Sequence, residues 1–255
     1  MSSDARAHVF YKIANAPVLA YPFPHFYVES VFPEDFYRQL LASLPPLARY
    51  ARLGETGSVT PGAYPERFVL NPVELAKGEP PDASGPFWSS LVDWMEGGEF
   101  SRLLLGKFDR YVIENFGTGN EFRIDQDTRL IRDFTNYAIA PHTDTPRKLV
   151  SLLFYLPRDD RMRHLGTSIF EPREEGFTCD GTMHHRFEDF RKVYTAPFLP
   201  NTLFAFFRND RSFHGVEPIA DEKIERDLLL YNIYVNKIVR MVPPRKGFRW
   251  PWARG

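Results

Sequence analysis

Along the second half of the chain, after Phe122, the pattern of apolar positions changes from helical to strand-like. Residues 128–135, 148–156, 167–170, 192–198, 202–208, 213–219 and 226–236 are rich in aromatic and branched side chains and are separated by Pro, Gly, Asn or Asp. A short strand ending at His142 makes eight. Closely spaced strands without helical patterns between them predict an antiparallel sandwich or jelly-roll barrel. The first third has another period and reads as helices and loops. Phe36, Leu40 and Leu44 recur every four residues beside Tyr37 and Leu41, with Pro33 suited to a first helical turn and Pro45-Pro46 ending the run. Between Phe87 and Phe116, Trp88, Leu91, Trp94, Met95, Leu103, Leu104, Phe108 and Tyr111 return at helical spacing, broken at Gly97-Gly98. This predicts two helices bracing a sheet. Residues 54–65 and 71–86, rich in Gly, Pro, Ser and Thr, read as long surface loops. The chain is expected to be one domain over 1–255: a bracing region over 1–121, a barrel core over 122–240 and a tail over 241–255.

Composition narrows the function classes. Of the 255 residues, 43% are hydrophobic and 25% charged, as in an ordinary globular domain. The net charge of −1 provides no positive field for phosphate backbones or an anionic membrane surface, so neither nucleic acid nor membrane is an expected partner. The basic run with Arg245, Lys246, Arg249 and Arg254 is short and interleaved with Pro and Trp, which suits a solvated, packed tail. Cys179 is the only cysteine, so an intramolecular disulfide and a thiolate metal cluster are both excluded, and a reducing cytoplasm fits. The N-terminus lacks the basic-then-apolar pattern of a secretory signal, and no apolar run approaches the ~18 residues of a membrane span.

Three features carry chemistry. In His142-Thr143-Asp144 an extended chain points residues i and i+2 to one face, so the imidazole and carboxylate can converge on one ion. Alone the pair is weak evidence, since about 0.4 such pairs arise by chance among this many histidines. The second feature is Ser212-Phe213-His214-Gly215-Val216, after an apolar strand and the polar turn Asn209-Asp210-Arg211. A histidine opening the seventh strand of a jelly roll lies near the end of the second, and two imidazoles with one carboxylate then occupy one face of an ion, as in non-heme Fe(II) sites. The third is Arg226, followed at alternate positions by Leu228, Leu230, Asn232 and Tyr234. A guanidinium heading an inward face is a permanent cation suited to a carboxylate, and burying it without an anion costs several kcal/mol.

This order of H-x-D, a distal histidine and an arginine on the last strand resembles the Fe(II)/2-oxoglutarate-dependent dioxygenases. The likeness spans roughly 128–238 and is similar to their bacterial, prolyl-hydroxylase-like branch. The resemblance implies a mainly β fold with flanking helices around a double-stranded β-helix, the cupin-like jelly roll. It implies that His142, Asp144 and His214 hold Fe(II) and act in catalysis, and that Arg226 binds the C5 carboxylate of 2-oxoglutarate. With O2, the cosubstrate would be converted to succinate and CO2 while a C–H bond of a small molecule or an amino-acid or peptide side chain is hydroxylated, with ascorbate as a compatible reductant. Many members carry a Ser or Thr two residues after the arginine; Leu228 stands there, so Tyr137 and Ser151 on neighbouring inward faces are the candidate helpers. A carboxylate at Asp144 also disfavours the halogenase variant, which keeps a small residue there.

Two other classes use the same residues differently. A cupin-like metal dioxygenase would hold the triad without 2-oxoglutarate, and Arg226 argues against it. A non-catalytic jelly-roll binding module would have the triad by accident. His8, His25 and His164 read as ordinary core or surface residues, and His184 and His185 as members of a polar loop, with solvation favoured over contact with substrate. Arg132, Arg147 and Lys148 flank the predicted mouth and read as ordinary surface charges, with attraction of an acidic or phosphorylated substrate the less favoured reading. Nothing in the sequence names the substrate or the oligomeric state.

Overall fold

The computed structural model describes residues 2–77, 84–118, 121–181 and 183–240. The basic tail expected at 241–255 lies outside them. Helix α1 (Ser2–Asn15) opens the chain, followed by β1 (His25–Glu29), α2 (Glu34–Ala42), β2 (Ala51–Arg52), β3 (Arg67–Leu70) and α3 (Pro72–Ala76). Three helices then run in succession, α4 (Gly85–Met95), α5 (Gly98–Lys107) and α6 (Asp109–Phe116). The rest is strands: β4 (Glu121–Phe134), β5 (Ile139–His142), β6 (Lys148–Tyr155), β7 (Ser168–Pro172), β8 (Phe190–Thr195), β9 (Thr202–Phe207), β10 (His214–Val216) and β11 (Glu225–Arg240).

All eight strands expected in the second half are present, and they fold as a jelly roll of two antiparallel sheets. The larger has seven strands in the order β1-β9-β6-β11-β4-β3-β2, and the smaller has four in the order β5-β10-β7-β8. The first third differs from expectation. It supplies β1, β2 and β3 to the larger sheet, the span 71–86 contains α3 and the start of α4, and the stretch after Phe87 forms three helices because the chain also breaks at Phe108.

The period of two sorts the side chains onto the two faces of the larger sheet. Val150, Leu152 and Phe154 of β6, Leu203, Ala205 and Phe207 of β9, and Leu229, Tyr231 and Ile233 of β11 point outward into a core shared with Val9, Leu40, Trp88, Phe100 and Phe108 of the helical layer. Full burial of each such side chain is worth about 1.5–3 kcal/mol. Phe204, Phe206 and Leu228 face inward, into a second apolar cluster between the sheets. Among the described residues no helix is long and apolar enough to cross a membrane.

Candidate metal centre and anion pocket

His142 ends β5 and His214 opens β10, and antiparallel pairing sets them directly opposite one another, with ring centroids 4.4 Å apart. Gly215 permits this pairing: a Cβ there would sit 2.5 Å from the carbonyl oxygen of Ile139. Each imidazole is oriented by its own strand. His142 Nδ1 lies 2.9 Å from the carbonyl of Ala140, and His214 Nδ1 lies 2.9 Å from that of Ser212. Donation from Nδ1–H to these carbonyls leaves both Nε2 lone pairs directed at a common point, the tautomer a metal ligand needs.

Asp144 follows two residues after His142, and its Oδ2 is 3.8 Å from His214 Nε2. One ligand atom from each of His142, Asp144 and His214 can be chosen so that all lie within 4.8 Å of one another. The carboxylate is held from both sides: Lys148 Nζ donates to Oδ1 at 3.0 Å and Ser151 Oγ donates to Oδ2 at 3.1 Å. Its backbone is fixed as well, because Arg208 Nε donates to the Asp144 carbonyl at 2.9 Å and Gly181, with φ of +94°, packs against the same peptide. Thr143 donates to the carbonyl of Cys179 at 3.0 Å, which fastens the chain around Cys179 to the H-x-D segment.

The electrostatics favour a cation among these groups. Burial raises the Asp144 pKa, but Lys148 and the two histidines outweigh it and hold the carboxyl well below the usual range. Burial, assisted by the neighbouring His214, pushes His142 down, and burial also lowers His214. The triad therefore presents two neutral imidazoles and one carboxylate at neutral pH, the protonation state required for coordination.

A cavity of about 140 Å³ runs from this triad to Arg226 and is walled by Ile131, Leu153, Phe206, Leu228 and Leu230. A larger cavity of about 630 Å³, around Arg158, Arg161 and Asp221, shares no lining residue with it and is lined mainly by charged side chains. Arg226 is fully buried at the cavity's far end. Its Nη1 donates to Asp133 at 2.6 Å and its Nε to the Leu165 carbonyl at 2.8 Å, while Nη2 has no partner. An internal anion therefore already meets part of this guanidinium: Asp133, its direct neighbour across the β4–β11 ladder.

The two expected helpers separate. Tyr137 stands in the same cavity as Arg226 with its buried hydroxyl unpartnered. Ser151 bonds to Asp144 instead of the arginine, because it lies at the triad end of β6. Of the charges expected at the mouth, Arg132 is buried and clamped by Asp227, and Lys148 is a wall residue bound to Asp144; only Arg147 is exposed. His184 is not merely solvated. Its ring packs 4.6 Å from that of His142 and the Tyr64 hydroxyl is 3.0 Å from its Nδ1, while His185 packs among Phe177, Phe190 and Phe213.

Sequence reasoning missed Arg67 and Asp133. Arg67, on β3, grips Asp133 with Nε at 2.7 Å and Nη2 at 2.9 Å, and its guanidinium lies 4.2 Å over the ring of Tyr137. A charged residue between Arg132 and Phe134 in a predicted strand was a legible sign of a buried partner for Arg226. Arg67, 66 residues earlier, carried no such sign.

No family model matches the chain, and no curated protein matches it. Solved structures do. The non-heme alpha ketoglutarate dependent epimerase SnoN from nogalamycin biosynthesis superposes with a TM-score of 0.52 at 12% identity, covering 91% of this chain and 81% of that one. The same epimerase in complex with Fe3+, alpha ketoglutarate and nogalamycin RO gives a TM-score of 0.52 at 12% identity, with 91% and 84% covered. At this identity the likeness is one of fold, and the chain has the jelly-roll architecture on which that alpha ketoglutarate (2-oxoglutarate) enzyme is built.

Proposed function

We propose that the chain is an Fe(II)- and 2-oxoglutarate-dependent oxygenase that hydroxylates an unactivated C–H bond of a small molecule or an amino-acid or peptide side chain. The observation that carries this reading is the conjunction, in one cavity, of a His-Asp-His cluster and a buried guanidinium with an unpartnered nitrogen. The donor set suits Fe(II), because two imidazoles and one carboxylate on one face leave other coordination positions open. The unpartnered Arg226 Nη2 and Tyr137 hydroxyl suit a carboxylate. His142, Asp144 and His214 would hold the metal, and Arg226 with Tyr137 would hold the C5 carboxylate of 2-oxoglutarate.

When bound, iron, 2-oxoglutarate and O2 supply the oxidant, with succinate and CO2 released. The protein's own residues orient and exclude. Lys148 and Ser151 fix the carboxylate rotamer of Asp144, and Ile131, Phe206, Leu228 and Leu230 give the passage apolar walls. Such a lining keeps the electrostatic interactions strong and limits side reactions with water.

The test is anaerobic titration of the protein with Fe(II) and 2-oxoglutarate, followed by a succinate-release screen across candidate substrates. Binding and release that vanish in His142→Ala support the reading. Metal binding without 2-oxoglutarate binding would leave the cupin-like alternative, and no metal binding would leave a binding module. A product one oxygen atom heavier identifies hydroxylation, whereas unchanged mass with inverted stereochemistry identifies epimerisation, the reaction named for the fold neighbour.

A further inference from the structure

Arg226 alone does not explain how the far end of the cavity attracts an anion. Its Nη1 is 2.6 Å from Asp133, and an isolated Arg226–Asp133 pair would be electrically neutral. A carboxylate arriving there would give up its hydration for a site with no net charge, beside a carboxylate that repels it. The structure resolves this through a third group. Arg67 reaches in from β3 and engages both oxygens of Asp133, with side-chain exposure of 15% for Arg67 and 0% for Asp133. Two guanidiniums around one carboxylate leave one positive charge. In a poorly solvated interior that charge is little screened.

We propose that Arg67 sets the charge of the anion pocket: by taking up Asp133 it leaves Arg226 a full positive charge to offer a singly charged group such as a carboxylate. Arg67 lines the same cavity and sets its charge through Asp133, and its position over the Tyr137 ring also holds the phenol beside Arg226. The pocket is thereby matched to a monoanionic end group, since one net positive charge neutralises one carboxylate. This inference rests on the reading above that the cavity binds 2-oxoglutarate.

The experiment measures 2-oxoglutarate binding by calorimetry to the full chain loaded with Co(II), under anaerobic conditions, with near-UV circular dichroism as the folding control. Arg67→Met should weaken binding roughly tenfold or more, the worth of one charge-assisted contact. Arg67→Met combined with Asp133→Asn restores the net charge of the wild type, and its affinity should return to within about threefold of it. Arg67→Lys keeps the charge without the two-pronged grip and should also stay within about threefold. A merely structural Arg67 would instead show as an altered near-UV spectrum in Arg67→Met, with affinity following the folded fraction and not the net charge of the pocket. Wild-type affinity in Arg67→Met, or a folded double variant that binds no better than Arg67→Met, overturns the proposal. Should Arg67→Met fail to fold, Arg67→Lys decides: retained affinity supports the proposal and a tenfold loss overturns it. Absence of 2-oxoglutarate binding to the wild type would instead overturn the oxygenase reading itself.

Discussion

Gly215 shows how much of the candidate site rests on one missing methyl group. A Cβ there would meet the Ile139 carbonyl at 2.5 Å, so Gly215→Ala must push β5 away from β10 and spread the two imidazoles. The expected outcome is a loss of about 1–3 kcal/mol in denaturant unfolding. Co(II) affinity measured by titration should fall as well. A second residue-scale outcome concerns pH. Burial depresses the pKa of His25 more than its hydrogen bond to the Phe23 carbonyl raises it. Because the folded value is the lower one, the unfolded chain binds the proton more readily, and this contribution to stability is present above the ordinary imidazole value of 6.5 and is lost as pH falls below it. His25→Phe should therefore show a smaller drop in melting temperature between neutral and mildly acidic pH than the wild type. Residue identity made the triad legible because its two histidines sit on paired strands and Asp144 stands two residues after one of them. It could not reveal Arg67, whose partner Asp133 is brought near only by the pairing of β3 with β4.

At the scale of elements, residues 128–134 of β4, and β6, β9 and β11, were legible because each is a run of aromatic and branched residues bounded by turn formers, whereas the first half of β4 was not expected. β1, β2 and β3 were not. They span five, two and four residues and lie among helical and loop patterns, without the run of neighbouring strands that marked the equally short β5, β7 and β10, and it is the sheet edges they join that make them strands. The helical layer contributes stability rather than chemistry. Trp88, fully buried on α4, packs in the core outside the larger sheet and donates its indole N–H to the Ser43 carbonyl at 3.0 Å. Trp88→Ala is expected to cost about 3–5 kcal/mol in chemical denaturation. Metal affinity of the fraction that remains folded should change little, because no helix supplies a triad residue.

For the whole molecule, ligand binding and folding are linked. Metal and 2-oxoglutarate at a hundred times their dissociation constants should each add about 2.7 kcal/mol to stability. A chain of this size should then melt several degrees higher, and His142→Ala should lose the effect of the metal. The jelly roll was legible as a whole because its strand count and spacing leave few other ways to close a sheet. The charge balance of its interior was not, since it depends on which distant side chains the closed barrel brings together. The face-to-face placement of His142 and His214 has one more consequence. Their separation is inherited from the spacing between two paired strands, a length that every antiparallel sheet shares. Descendants of this sequence are thus free to lengthen, shorten or rewrite the loops around the mouth, and so to exchange one substrate for another, while the bite of the two imidazoles stays in tune.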